Sequence, residues 1–140
     1  MNDSRTETSA PSQRRLRKLR ILCAEDDDHI ALMLQCALEH AGHVVERAVD
    51  GQAALERITV DTNSVDLLVT DHQMPRMSGR GLVEKLRGTA FAGKIIVHSS
   101  LLREFDAAAY RVLAVDYIFT KPVQLAELLG MVERMGVTAP

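Results

Sequence analysis

Four apolar segments of this 140-residue chain are each followed by side chains that can do chemistry. These side chains are carboxylates, a hydroxyl and an ammonium, and in chain order they are Glu25, Asp26, Asp71, Ser99 and Lys121. A carboxylate can attack phosphorus, and a hydroxyl and an ammonium can stabilise charge on the phosphoryl oxygens. Clustered carboxylates need a proton or a cation between them, and Mg²⁺ is a hard ion that also binds phosphate oxygens. The residue types therefore suit metal-assisted phosphoryl transfer, provided that the fold brings them together.

The segments that must position these residues alternate between short apolar runs and amphipathic stretches. Strands are predicted at 21–24, 43–48, 67–70, 94–98 and 116–120. Helices are predicted at 30–38, 81–87, 101–113 and 124–135. A further short helix is predicted after Asp50, which can cap it, and contains Ala54, Leu55 and Ile58. Each predicted helix follows a strand, so every strand connects to the next through a helix.

Five strands alternating with five helices indicate a parallel sheet that is covered on both faces. Right-handed crossovers make this a doubly wound α/β fold, in which the carboxyl ends of the strands collect at one edge. The chemistry-bearing residues should meet at that edge although they lie far apart in sequence. We predict one domain over residues 19–136, a disordered basic extension over 1–18 and a C-terminal stub at 137–140.

Over roughly residues 19 to 135 the chain resembles the receiver domain of two-component response regulators. The resemblance rests on the Glu25-Asp26 pair, Asp71 followed by Met74-Pro75, Ser99, and Thr120-Lys121-Pro122. It implies a flavodoxin-like (βα)5 fold with strand order 2-1-3-4-5 and a cis peptide bond before Pro122. It also implies a phosphoprotein of a two-component or phosphorelay system that signals by switching partner binding.

The resemblance assigns the phosphoryl chemistry to three residues. Asp71 would accept the phosphoryl group, and Ser99 and Lys121 would each bind one of its oxygens. Ser100 competes with Ser99 for the hydroxyl role, and comparison with the family's fourth strand favours Ser99. Ile118 stands where many receivers carry a Tyr or Phe that moves on activation, so we expect the fourth helix rather than the fifth strand to respond.

The same resemblance implies a magnesium site, with Mn²⁺ as an alternative ion. Asp26 and Asp71 would ligate the metal directly, Glu25 would act through water, and the backbone carbonyl of Gln73 would supply another oxygen. Asp27 and Asp28 fall just beyond the first strand, where capping the first helix explains them better than metal binding.

The expected partners are a histidine kinase or histidine phosphotransfer protein as phosphoryl donor, and a downstream protein on the face of the fourth helix, fifth strand and fifth helix. The expected protein is a switch rather than an enzyme, with no chemistry beyond its own phosphorylation and dephosphorylation. One alternative is a receiver-shaped adaptor that acts without phosphorylation. A remote alternative is an aspartyl-phosphate phosphatase of the haloacid-dehalogenase type, whose D-x-D motif Asp26-Asp27-Asp28 superficially matches.

Composition adds limits on partners and location. Residues 1–20 carry six Lys/Arg and two Asp/Glu, whereas the remaining 120 carry 11 and 17, so the body of the protein is acidic. An acidic body argues against direct nucleic-acid binding. The absence of a long apolar run and of a signal-like N-terminus predicts no membrane span and a cytoplasmic location. Cys23 and Cys36 are both predicted to be small buried hydrophobic residues.

Overall fold

Ten elements alternate along the chain in the predicted order. The computed structural model describes residues 17–100 and 104–136. The strands are β1 (Arg20–Ala24), β2 (Val44–Ala48), β3 (Leu67–Asp71), β4 (Lys94–Ser99) and β5 (Tyr117–Thr120). The helices are α1 (Asp28–His40), α2 (Gly51–Val60), α3 (Gly79–Leu86), α4 (Glu104–Val112) and α5 (Leu125–Met135).

The strands form one parallel sheet in the order β2-β1-β3-β4-β5. This is the predicted doubly wound, flavodoxin-like arrangement, and it is confirmed. Crossovers to both sides of β1 place a topological switch between β1 and β3, where ligands of such sheets bind. Residues 1–16 of the predicted extension at 1–18 lie outside the described residues, and so does the whole of the predicted stub at 137–140.

Predicted and observed bounds differ by one or two residues at several elements. β3 extends to Asp71 because this residue still pairs in register with His98 on β4. α3 begins earlier than predicted, at Gly79, because the Ser78 hydroxyl accepts a hydrogen bond from the Gly81 N–H and caps the helix. The helix predicted at 101–113 can be compared only from 104 onward, where α4 agrees with it.

Each face of the sheet packs against its own group of helices. One core lies between the sheet and α2, α3 and α4, and its largest buried side chains include Leu22, Leu68, Ile95, Ile58, Leu82 and Tyr110. The other lies between the sheet and α1 and α5, and includes Ile21, Leu67, Ile96, Leu34, Leu38 and Leu128. Side chains that alternate along each strand fill the two cores in turn.

The turn between β3 and α3 is tightly constrained. A Cβ at Gly79 would collide with the backbone carbonyl oxygen of Asp71, so only glycine lets α3 begin this close to the end of β3. Arg76 has a positive φ of 65°, and its guanidinium Nε donates to Asp50 Oδ2 at 2.7 Å. Asp50 also caps α2 by accepting from the Ala53 N–H, as predicted. The Asp50 carboxylate thus fixes the β3–α3 loop against α2.

The first and last described segments meet at the amino edge of the sheet. The Arg17 N–H donates to the Gly136 carbonyl at 2.6 Å, and the Arg17 guanidinium pairs with Asp66, which precedes β3. This edge lies opposite the one where Asp71 ends β3. Among the helices of the described ranges, none is long and apolar enough to cross a membrane.

The prediction for the cysteines is half right. Cys23 is fully buried in β1, and burial raises the pKa of its thiol to about 12. Cys36 is exposed on α1, whose buried residues are Ala31, Leu34 and Leu38. Cys36 lies two positions from both Leu34 and Leu38, which places it on the opposite side of α1 from these buried residues.

Candidate functional site

The carboxyl edge of the sheet gathers the predicted site residues. Glu25, Asp71 and Ser99 are buried there, the Lys121 side chain is 18% exposed, and Asp26 is exposed. The peptide bond between Lys121 and Pro122 is cis, as the family resemblance implied. Residues from four separate strand ends thus form one acidic pocket, which we define as Glu25, Asp71, His98 and Lys121.

A lysine ammonium sits between two carboxylates in this pocket. Lys121 Nζ lies 3.2 Å from Asp71 Oδ2 and 3.7 Å from Glu25 Oε1. Asp71 Oδ1 faces the loop, where it accepts a long hydrogen bond of 3.4 Å from the Gln73 N–H. One oxygen of Asp71 is therefore ion-paired, and the other is directed to the turn that follows β3.

Glu25 is held in an environment that resists its ionisation. Its Oε2 accepts from the Asp27 N–H at 3.0 Å, whereas Oε1 is buried with no hydrogen-bond partner among the described residues. Burial, followed by the charges of Asp71 and Asp26, raises the pKa of Glu25 to about 7. A divalent cation would supply the missing partner and offset the repulsion, so the pocket fits the predicted metal.

The other predicted metal ligands are less closely placed. The metal-ligating atoms that lie within 4.8 Å of one another belong to Glu25, Asp71 and His98. Asp26 is outside this group, so its direct ligation stays a prediction, as does that of the Gln73 carbonyl. Asp27 instead caps α1, its Oδ1 accepting from the backbone N–H groups of His29 and Ile30.

Sequence reasoning did not place His98 in the pocket. Its imidazole is 1% exposed, and its Nε2 lies 3.8 Å from Glu25 Oε1. Burial lowers the pKa of His98 to about 4. The available signal was strand alternation: His98 pairs with Asp71 and shares a face with Ile96, so its ring points to the same side of the sheet as the Asp71 carboxylate.

Ser99 lies on the opposite face of β4 from His98. It is 3% exposed and pairs in register with Thr120, and its carbonyl accepts from the Lys121 N–H at 2.8 Å. Ser100 is exposed. Ile118 packs against the core that contains Tyr110, whereas Phe119 belongs to the other core. Tyr117 and Phe119, the β5 aromatics, alternate with Ile118 along the strand and do not share a face with Ile118 and Ser99.

Residues 21–133 match the family model described as the response regulator receiver domain. The chain belongs to the response regulator receiver family. Among its relatives, the gliding motility regulatory protein of Myxococcus xanthus is 41% identical over 106 residues, a match covering 74% of this chain and 13% of that protein. The alkaline phosphatase synthesis transcriptional regulatory protein PhoP of Bacillus subtilis is 30% identical, over 86% of this chain and 51% of the relative.

Solved structures agree with this family assignment. The crystal structure of a response regulator receiver protein from Pseudomonas putida has a TM-score of 0.78 and 25% identity, over 86% of this chain and 99% of that one. The receiver chain spans about half or less of the length of the two curated relatives above. Receiver domains act as signalling switches in two-component systems, and acceptance of a phosphoryl group is typical of the family.

This receiver carries a buried polar link from β3 to α4. The ring of His72, directly after Asp71, has its Nδ1 2.6 Å from the hydroxyl of Tyr110, which is fully buried on α4. His72 Nε2 lies 3.6 Å from Asp106 Oδ2, also on α4, and Arg80 on α3 reaches Asp106 at 3.5 Å. Burial is the main cause that raises the pKa of the Tyr110 hydroxyl, which therefore stays protonated.

Proposed function

We propose that this receiver domain accepts a phosphoryl group on Asp71. The observation that carries the proposal is the ion pair of 3.2 Å between Asp71 and Lys121, set beside the buried Glu25 at the carboxyl edge of a parallel sheet. A carboxylate in this position can act as a nucleophile, and an ammonium within contact can stabilise the charge that develops during transfer.

The proposed reaction is an in-line displacement at phosphorus. An Asp71 carboxylate oxygen forms the new O–P bond as the N–P bond of a phosphohistidine donor breaks, and the electron pair of that bond remains on the imidazole nitrogen. The Lys121 ammonium and the Ser99 hydroxyl stabilise the phosphoryl oxygens. Lys121 contacts Asp71 directly, and Ser99 follows His98, the residue paired with Asp71, at the end of the neighbouring strand.

A divalent metal is part of the proposal. Mg²⁺, or Mn²⁺ in its place, neutralises negative charge on the carboxylate and phosphoryl oxygens when bound. Asp26 and Asp71 would hold it directly, Glu25 through water, and Gln73 through its backbone carbonyl. Glu25 Oε1 supports this assignment, because a buried carboxylate oxygen that accepts no hydrogen bond from the described residues is rare in native proteins.

The donor is proposed to be a histidine kinase or histidine phosphotransfer protein, and the output a downstream protein that binds the face formed by α4, β5 and α5. Relatives described as regulators of transcription and gliding motility support a signalling role. We propose that the domain turns over no substrate besides its own acyl phosphate, and that it works in the cytoplasm. The domain is proposed to span 19–136, with extensions at 1–18 and 137–140.

The function is tested by incubating the full chain with acetyl phosphate and Mg²⁺ and measuring its intact mass. We expect a gain of one phosphoryl group that is lost when the metal is chelated. The product should be an acyl phosphate, so brief treatment with hydroxylamine should remove it. An unchanged mass with both reagents present, or a hydroxylamine-stable label, would contradict the proposal.

We further propose that α4 carries the response inside the domain. No aromatic ring on β5 lies on the face of Ser99, and Tyr110 from α4 fills the core on that face. Tyr110 also contacts His72, the residue directly after the phosphoacceptor. A change at Asp71 can therefore reach α4 through one side-chain contact.

Replacement of Tyr110 by Phe should weaken this response without preventing phosphorylation. The ring would still fill the core, but His72 would lose its hydroxyl partner at 2.6 Å. We expect beryllofluoride to change amide hydrogen exchange in α4 clearly in the wild type and much less in Tyr110→Phe. Tyr117→Phe, which alters the half-exposed tyrosine on β5, is the matched control and should behave like the wild type. Equal α4 responses in all three proteins would refute the role of Tyr110.

A further inference from the structure

We propose that His98 adds an imidazole ligand to the acidic pocket, so that the pocket binds Zn²⁺ through Glu25, Asp71 and His98. The inference rests on the proposed metal binding beside Asp71, and it assigns a new ligand and a class of ion to that pocket. The ions concerned are divalent transition metals, with Zn²⁺ as the probe.

The three ligand atoms are already close together. One atom from each of Glu25, Asp71 and His98 lies within 4.8 Å of the other two, and all three residues are buried. Zinc holds nitrogen and oxygen ligands at about 2.0–2.2 Å, so ligand atoms around it are separated by roughly 3–4 Å. A contraction of about an ångström would therefore close the site.

Two of these side chains have buried polar atoms without hydrogen-bond partners among the described residues. Glu25 Oε1 and both ring nitrogens of His98 are buried and make no hydrogen bond to any residue of the described ranges. Almost all buried polar atoms in native proteins have a partner. Since Nε2 of His98 lies 3.8 Å from Glu25 Oε1, one bound cation would satisfy both atoms at once.

The imidazole changes which ions the pocket prefers. Carboxylate and water oxygens suit Mg²⁺, whereas imidazole nitrogen suits Zn²⁺ and other transition ions. Three protein ligands with a further open position are also the usual arrangement of reactive zinc sites. Loss of His98 should therefore weaken Zn²⁺ binding strongly and affect Mg²⁺ binding little.

Lys121 competes with the ion for the same carboxylates. Its ammonium lies 3.2 Å from Asp71 Oδ2 and 3.7 Å from Glu25 Oε1. Repulsion by a dication would move the ammonium outward, and its 18% exposed side chain gives it a route to solvent. Either Zn²⁺ or the Lys121 ammonium therefore pairs with the Asp71 and Glu25 carboxylates, but not both at once.

The test is a calorimetric titration of the full chain with Zn²⁺ and, separately, with Mg²⁺. In His98→Leu, which keeps a similar side-chain volume, Zn²⁺ affinity should fall by about tenfold or more, while Mg²⁺ affinity changes little. The matched control is His29→Gln, since His29 is an exposed histidine near the same edge; its Zn²⁺ affinity should equal that of the wild type. Equal Zn²⁺ affinity in wild type and His98→Leu would overturn the proposal.

A second measurement uses only the wild type, in case His98→Leu does not fold. Zn²⁺ should shift the ring-nitrogen NMR signal of His98, and unchanged signals under saturating Zn²⁺ would overturn the assignment. Phosphorylation by acetyl phosphate and Mg²⁺ is measured on the same preparation. A phosphorylated protein without His98-dependent zinc binding refutes this inference alone, whereas zinc binding through His98 without phosphorylation refutes the proposed function alone.

Discussion

Asp71→Asn should abolish phosphorylation by acetyl phosphate and Mg²⁺ while leaving the fold intact. The amide cannot form the acyl phosphate, and no other described carboxylate contacts the Lys121 ammonium except Glu25, which is 1% exposed. The fold should persist because the change removes one of several clustered negative charges. Intact mass after incubation measures the label, and circular dichroism with thermal unfolding checks the fold.

Asp28→Asn is the informative control for this experiment. Asp28 lies in the first turn of α1 at the same edge of the sheet, is exposed and pairs with Arg47. It would be the second aspartate of the D-x-D motif if the chain were a haloacid-dehalogenase-type phosphatase, but it has no role in the receiver mechanism. Full labelling of Asp28→Asn and none of Asp71→Asn is the expected pattern. Equal labelling of Asp71→Asn and wild type would require a different phosphoacceptor.

Glu25→Gln should stabilise the metal-free protein at pH 8. The pKa of Glu25 is raised from 4.5 to about 7, so its contribution to stability is present below about pH 4.5 and is lost as the pH rises through about 7. Above pH 7 the folded state holds a buried charge that glutamine avoids. At about 1.4 kcal/mol per pKa unit, the rise from 4.5 to about 7 corresponds to roughly 3.5 kcal/mol, and the variant should gain up to that amount in free energy of unfolding.

The pH dependence and the metal distinguish this effect from a general change in packing. The gain should shrink toward zero as the pH falls below about 4.5, where Glu25 becomes protonated in both the folded and unfolded states. Added Mg²⁺ should stabilise the wild type more than Glu25→Gln, because the ion offsets the charge that the variant lacks. Urea unfolding at several pH values measures the gain, with Glu133→Gln, an exposed position on α5, as the control. A gain that is the same at pH 4.5 and pH 8 would contradict the explanation.

The fold and the central pocket residues were accessible from sequence because both depend on local patterns. Apolar runs that end on Asp71, Ser99 and Lys121 predict strands, and parallel strands bring their carboxyl ends to one edge whatever their distance in sequence. The exact ends of the strands were harder to predict because they depend on pairing with the neighbouring strands. Asp71 belongs to β3 through its pairing with His98, which no local pattern specifies.

The features that sequence reasoning missed are contacts between elements. His98 lies in the pocket because the register of β4 against β3 sets it opposite Asp71. The contact between His72 and Tyr110 joins a strand end to a helix 38 residues away, and only the packing of α4 decides it. Cys36 failed for a different reason: its residue type suggested burial, whereas its position two residues from Leu34 and Leu38 places it on the exposed side of α1.

The contact between Arg17 and Gly136 indicates where the domain can be joined to a surface, a dye or another domain. Both described termini leave the sheet at its amino edge, and the acidic pocket opens at the opposite edge. A surface, dye or fused domain joined at Arg17 or Gly136 would therefore lie at the edge opposite the pocket. A peptide linker could also join the two ends, and new termini could then be opened in an exposed loop such as the one around Thr62 and Asn63.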